Sequence, residues 1–224
     1  MVLVSHRYKF LYIKLQKVAG TSVESFFGQF CCDPSVPYRF THTCDESVTE
    51  FGILGSRMGG FAKDWLPHIS AHDICTRLGK NVFDSYFKFC VVRNPWDKVV
   101  SFYCWQFKDA KQTKEGFTRF VKQFQNRDWK LHTIRDVCVC DFYIRYEHLT
   151  HDIQTVCERL HLDTYSLTDL PTFKTGTRRL NNHYSEYYTE ETREIVRQKF
   201  LREIELFGYR FEEPKPNETI TMVT

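Results

Sequence analysis

The apolar positions fall into short runs whose spacing switches between two periods. KFLYIKL (Lys9–Leu15) is a compact apolar and aromatic run that predicts a buried strand. A short loop, QKVAG, follows it, and TSVESFFGQF then repeats apolar residues at helical spacing. The predicted unit is strand, loop, helix. YFKFCVV (Tyr86–Val92) is continuously apolar and predicts a strand covered on both faces, as in a parallel sheet. After it, Asn94 is placed to cap a helix, Pro95 suits its first position and Asp97 its first turn. That helix is expected to run on through VVSFYCWQF, with a shorter one at Phe117–Phe124.

ISAHDICTRLG reads as a helix capped by Ser70, with Asp73 completing a capping box and Gly79 ending it. DFYIRYEHL predicts a strand, DIQTVCERLHL a helix, and ETREIVRQKFLREIELFGY one strongly patterned final helix. Residues 31–66 are irregular and rich in turn formers, which predicts a long excursion shaping a substrate surface. LPTFKTGTRRLNNHY reads as a polar loop. Strands alternating with helices predict an α/β three-layer sandwich around a central, mainly parallel sheet with a phosphate-binding loop. Residues 1–211 are expected to form a single domain and 212–224 a flexible tail.

Composition narrows the function classes. The 224 residues are 42% hydrophobic and 26% charged, an ordinary globular balance that argues against disorder. A net charge of +3 is too small for a dedicated nucleic-acid binder, so any anion site must be local. No apolar stretch reaches membrane-spanning length, and MVLVSHRYKF does not read as a secretory leader, so a cytoplasmic location is expected. Nine cysteines without a CxxC pair point to reduced core thiols rather than a zinc site, and no metal is expected.

The chemistry sits in two loops. Residues 1–23 hold no acid but four basic residues, Arg7, Lys9, Lys14 and Lys17. The helix after QKVAG opens with Gly20, Thr21 and Ser22, so free N–H groups at a helix start, two hydroxyls and the Lys17 charge can gather an anion. The lysine precedes the glycine, against the order of an ATPase or GTPase phosphate loop. The second locus is Arg93, which ends a buried strand where a helix begins. Ligands of open α/β sheets bind at such strand ends, and Ser101 lies two helical turns farther on. From position alone, Arg93 also suits a structural ion pair.

IKLQKVAGTSVESFF followed by FKFCVVRNPWDKVVSFY resembles the sulfotransferase family that includes carbohydrate sulfotransferases and their soluble bacterial and algal relatives. PHISAHDICTRLG, FYIRYEHL and HYSEYYTEETREIVRQKFLREIELFGYRF extend the likeness, and residues 31–60 match least. The resemblance implies 3′-phosphoadenosine 5′-phosphosulfate (PAPS) as donor and PAP as product. Lys17, Val18, Ala19, Gly20, Thr21 and Ser22 would hold the 5′ phosphosulfate, and Arg93 and Ser101 the 3′ phosphate. A late loop at Thr175, Gly176, Thr177 and Arg178 would close over the nucleotide.

Sulfuryl transfer to an acceptor oxygen gains from a base for the acceptor proton and a cation for the leaving group. Lys17 is the natural cation. His68, just before a helix start whose dipole disfavours imidazolium, is the candidate base, and the family's catalytic histidine aligns with it. His72 reads as solvent-facing or capping, Glu147 as a brace for the loops, and His42 and His183 carry no assigned role. The acceptor is expected to be a carbohydrate hydroxyl. A small polar natural product attacked through oxygen or nitrogen is the alternative, and a non-catalytic nucleotide- or glycan-binding module is a further one. A nucleotide kinase lacks both the Walker order and a carboxylate pair for magnesium.

Overall fold

A computed structural model describes residues 1–162 and 183–211 of the chain. The late loop expected at Thr175–Arg178 and the tail 212–224 lie outside the described residues. In chain order the elements are β1 (Leu3–Ser5), β2 (Phe10–Ile13), α1 (Gly20–Phe27), β3 (Ser47–Val48), β4 (Gly52–Leu54), α2 (Ala71–Leu78), α3 (Lys80–Ser85) and β5 (Phe87–Val92). Then come α4 (Pro95–Gln106), α5 (Lys114–Gln123), β6 (Thr133–Ile134), β7 (Val137–Cys138), β8 (Phe142–Arg145), α6 (Leu149–Arg159), α7 (Glu190–Lys199) and α8 (Leu201–Phe207).

These elements pack as two compact units. The first holds Met1–Val92, Arg127–Arg145 and the described stretch that starts at Leu149; the second holds Arg93–Asn126, Tyr146–His148 and residues 183–211. The first unit contains a six-stranded sheet in the order β3-β4-β1-β2-β5-β8. Parallel pairing is confined to β2, β5 and β8, with Ile13 opposite Cys90 and Val92 opposite Arg145. β1 pairs antiparallel with both β2 and β4, and β3 with β4; the short turns joining β1 to β2 and β3 to β4 permit no crossover. The sheet is therefore mixed, with its parallel part where the apolar runs KFLYIKL and YFKFCVV predict strands.

All four residues of β2 are buried. Phe10 and Phe89, from paired strands, meet Phe27 of α1, with ring centroids 5.7 Å (Phe10–Phe27), 5.0 Å (Phe27–Phe89) and 5.7 Å (Phe10–Phe89) apart. Such pairs are worth about 0.5–1.5 kcal/mol each beyond their burial. They fix α1, and hence the loop before it, on the end of β2.

In the second unit, Asn94 caps α4 by accepting the Trp96 N–H at 3.1 Å, as its position predicts. Its amide also donates to the Arg210 carbonyl at 2.8 Å. Trp96 donates from Nε1 to the Arg193 carbonyl, and Tyr188 donates back to the Trp96 carbonyl, which binds α4 to α7. The final helix is not continuous: Phe200, with φ −121° and ψ 21°, separates α7 from α8. The Lys199 ammonium donates to the carbonyls of Val121, Lys122 and Phe124 at 2.8, 2.9 and 2.6 Å, closing the end of α5, while Phe200 stacks on Phe124. The break lets one residue cap a neighbour and the next fill the core.

Replacing Lys199 by Met keeps the stem but leaves those carbonyls without their charged donor. Urea unfolding of Lys199→Met is expected to show a loss of about 1–2 kcal/mol at unchanged m-value.

Candidate functional site

The loop leaving β2 passes twice through the left-handed region, at Lys17 (φ 56°) and Ala19 (φ 59°, ψ 23°). Neither is glycine, and such residues cost on the order of 1–3 kcal/mol each, so surrounding contacts must enforce the shape. One of them is Asp128, whose carboxylate receives the Gln16 N–H at 3.3 and 3.4 Å. Left-handed residues of this kind tilt successive N–H groups toward a common point. The N-cap residue of α1, Ala19, has no side chain that can cap it, and the positive end of the helix favours an anion. Val18, Gly20 and Ser22 are buried, whereas Lys17, Ala19 and Thr21 are half-exposed.

Gly20 is closely approached from beneath. A Cβ there would stand 3.0 Å from Lys14 Cε and 3.3 Å from the Tyr12 hydroxyl. Tyr12 is fully buried, and its hydroxyl makes no hydrogen bond within the described structure, so an unused donor lies at the base of the loop. Burial pushes the Tyr12 pKa well up, which keeps that group protonated. The residues present therefore fit the phosphate or sulfate end of a nucleotide.

Under the loop is a buried carboxylate that the sequence reading did not single out. Glu24, on α1, is 0% exposed and meets Lys14 Nζ at 2.6 Å and Arg57 Nε at 3.0 Å. The Met1 amino group also reaches it. Burial alone would raise the Glu24 pKa, but the Met1 amine, Lys14 and Arg57 outweigh it and hold it below the usual value. The signal was present in the sequence: Glu24 is the first acid in the chain, set among buried apolar positions of a basic segment. Arg57 carries the linkage into the excursion, donating to the Thr41 carbonyl and stacking on Phe40 at 4.0 Å.

His68 lies in the same unit. Its Nδ1 is 3.2 Å from the Lys14 carbonyl. A carbonyl only accepts, so Nδ1 carries the proton and Nε2 of the neutral ring is left as an acceptor. Burial first, and the Lys14 charge second, depress the His68 pKa to about 4, against a weaker upward pull from the Lys14 carbonyl. The ring is thus neutral at physiological pH. Ser70 caps α2 by accepting the Asp73 N–H at 3.1 Å, as expected. Asp73 does not return the bond to the Ser70 backbone; its carboxylate instead takes the Ser70 hydroxyl at 2.7 Å.

The segment leading to His68 is held by two further acids that the sequence reading missed. Glu46 Oε2 accepts the N–H groups of Lys63, Asp64 and Trp65, each at 2.8 Å, and Asp45 accepts that of Phe61 at 2.7 Å. Slight desolvation would raise the Glu46 pKa, but the three donors outweigh it and lower it. Trp65 is buried and receives the Ser56 N–H on its carbonyl at 2.8 Å.

In the second unit, Arg93 binds Asp97, with Nε at 2.6 Å and Nη2 at 2.5 Å from one carboxylate oxygen, and stacks on Tyr146 at 4.0 Å. The structural role weighed for Arg93 is therefore real, whatever else the guanidinium holds. Ser101 is half-buried on α4. Glu147 accepts the Asn94 N–H at 2.7 Å and the Tyr209 hydroxyl at 3.3 Å, the bracing its position suggests. His72 is exposed beside Asp73, His42 is exposed beside Phe40, and His183 pairs with the Ser185 hydroxyl at 2.8 Å. The nine cysteines are unbridged, and no group of three or more His, Cys, Asp or Glu among the described residues is arranged to hold a metal. No described helix is long and apolar enough to cross a membrane.

Comparison with known proteins bears on the whole of this region. The family model described as "Sulfotransferase family" matches residues 1–210. An uncharacterized protein of Archaeoglobus fulgidus is 36% identical over 95 residues, which cover 40% of this chain and 79% of that protein. No solved structure matches.

Glu24→Gln keeps the shape of the side chain but leaves Lys14 and Arg57 without their carboxylate. We expect it to destabilise the protein by about 3–5 kcal/mol in urea. Because the folded pKa is depressed, the contribution of Glu24 is complete above the ordinary carboxylate range and is lost as pH falls through the lowered value.

Proposed function

The chain belongs to the sulfotransferase family, and we propose that it transfers the sulfuryl group of PAPS to a hydroxyl of a carbohydrate acceptor, releasing PAP. The observation that carries the mechanism is the Nδ1 contact of His68 with the Lys14 carbonyl, which leaves Nε2 of a neutral ring as the acceptor nitrogen. The donor supplies an activated sulfuryl group attached to a phosphate oxygen. The loop Lys17, Val18, Ala19, Gly20, Thr21 and Ser22 orients the phosphosulfate with backbone N–H groups and hydroxyls. The Lys17 ammonium stabilises charge on the departing phosphate oxygen. His68 Nε2 takes the acceptor proton as its oxygen attacks. Arg93 and Ser101 are assigned to the 3′ phosphate on their motif, and Thr175, Gly176, Thr177 and Arg178 to closure over the nucleotide.

The low pKa of His68 has a kinetic signature. In free enzyme the ring protonates only near pH 4, so kcat/KM should stay level from pH 7 to about 5 and fall below that. A bound phosphosulfate favours the imidazolium, so the acid limb of kcat should lie at higher pH than that of kcat/KM. His68→Ala should lower turnover by about 10²- to 10⁴-fold with 3′,5′-ADP binding retained. Near wild-type turnover in that variant would move the base to another residue.

Arg93→Ala should weaken 3′,5′-ADP binding by about 1.5–3 kcal/mol in calorimetry. Asp97→Asn releases the guanidinium and should not weaken it. Equal losses in the two variants would leave Arg93 with only its structural pair. Greater thermal stabilisation by ATP than by 3′,5′-ADP or PAPS would favour a kinase, and binding without turnover a non-catalytic module.

A further inference from the structure

Two thiols of the first unit line one cavity. A pocket of about 180 Å³ within the excursion is walled by Cys32, Val36, Tyr38, Cys44, Leu54 and Arg57 among others. Cys32 and Cys44 are both half-buried and unbridged. Burial first, and a charge on Cys44 second, push the Cys32 thiol up. Burial also raises Tyr38, against a downward pull from Arg57, and each of the two thiols adds to that rise. Couplings of this kind act over a short range, so the two thiols and the phenol stand close together.

The backbone explains how they meet. Glu24, Gly28 and Cys32 recur every four residues along α1 and the turn that extends it, which sets them on one face. The Cys32 thiol donates to the Gly28 carbonyl at 3.4 Å, and a Cβ at Gly28 would collide with the Tyr38 hydroxyl. Arg57 reaches Glu24 on that same face. Cys44 is brought there by Arg57: the two residues exchange backbone N–H to carbonyl bonds of 3.2 and 2.8 Å. The chain from Cys32 to Cys44 therefore leaves the end of α1 and returns beside it. Cys31, next in sequence, is buried, with its thiol turned to the Phe27 carbonyl at 3.7 Å.

We infer that Cys32 and Cys44 form a redox site, which a low-molecular-weight disulfide such as oxidised glutathione converts to a disulfide that fastens the excursion to α1. In the first exchange the Cys44 thiolate attacks one sulfur of the reagent, forming a mixed disulfide and releasing one thiolate. The Cys32 thiolate then attacks the Cys44 sulfur and releases the second. The protein thiols lose two protons and two electrons, and the reagent's S–S bond becomes two thiols. Cys44 reacts first because its thiol lies at the surface, on the Asp45 carbonyl at 3.1 Å, whereas Cys32 is harder to ionise. The new bond joins elements that the Glu24–Arg57 pair already holds together, so it forms within the folded chain. The site stands apart from the proposed sulfuryl transfer.

The full chain is equilibrated in glutathione redox buffers, quenched with iodoacetamide and digested with trypsin without reduction. Cleavage after Lys17, Arg39 and Arg57 places Cys32 and Cys44 on separate peptides, 18–39 and 40–57. These two peptides are expected as one linked mass that reduced glutathione separates, with fragment ions placing the bond at Cys32. Cys31→Ser should keep the link, and Cys32→Ser should replace it by a glutathione adduct on Cys44. The effective concentration of the two thiols should be at least about tenfold higher in the native chain than in urea, because the fold holds them together. The oxidised chain should also melt at a higher temperature than the reduced one. Glutathione adducts without the link, a bond through Cys31 or another cysteine, or equal effective concentrations in native and urea-unfolded chains would overturn the inference.

Discussion

The Glu24 carboxylate is the constraint on which the first unit's chemistry depends. It lies in the interior with Lys14 and Arg57 on it, and each partner leads to a different part of the site. Lys14 runs beneath Gly20 at the start of α1, and its carbonyl holds the His68 ring. Arg57 belongs to the excursion and is tied there through Thr41 and Phe40. A buried charge is tolerable only when it is paired, so the strand, the helix and the excursion must assemble together for any of these groups to be satisfied. Register errors in β2 or β4 would leave charges stranded, which makes the arrangement a specificity device as well as a stabilising one.

The same network explains why His68 is suited to accept a proton. Burial and a nearby cation oppose the imidazolium, while a backbone carbonyl accepts the Nδ1–H hydrogen bond and orients the ring. The result is a neutral ring whose acceptor nitrogen is chosen by the fold. The loop before α1 is organised by the same logic of enforced geometry. Lys17 and Ala19 hold left-handed conformations that only surrounding contacts sustain, and Gly20 leaves room for the Lys14 stem. Strain and close approach concentrate in the loop to which the anion is assigned by proposal.

Much of this was legible in the chain because it depends on local periodicity and capping. The strands β2, β5 and β8 and the helices α1, α2, α4, α5 and α6 follow from apolar spacing, and the caps Ser70 and Asn94 from residue type at a helix start. The final helix shows where local reading stops. Its pattern is continuous, yet Lys199 and Phe200 are used by α5 and by the core of the second unit, and that demand divides it into α7 and α8. β1, β3 and β4 are only two or three residues long and carry no period of their own, so their pairing decides that they are strands. Arg93 read as an anion ligand or an ion-pair partner, and its Asp97 pair and Tyr146 stacking became visible only with the side chains placed.

By itself, the sequence determined the strands of the parallel part of the sheet, the basic glycine-containing loop after β2 and the histidine ahead of α2. Those features rest on neighbours within a few residues, where spacing and side-chain type are sufficient. The tertiary structure alone decided that Glu24 is buried against Lys14 and Arg57, that His68 Nδ1 donates a hydrogen bond to the Lys14 carbonyl, and that Asp45 and Glu46 pin the segment carrying Phe61 and Leu66. Each of these joins residues 10 to 54 positions apart, and the desolvation that gives them their energy exists only once the chain has closed around them.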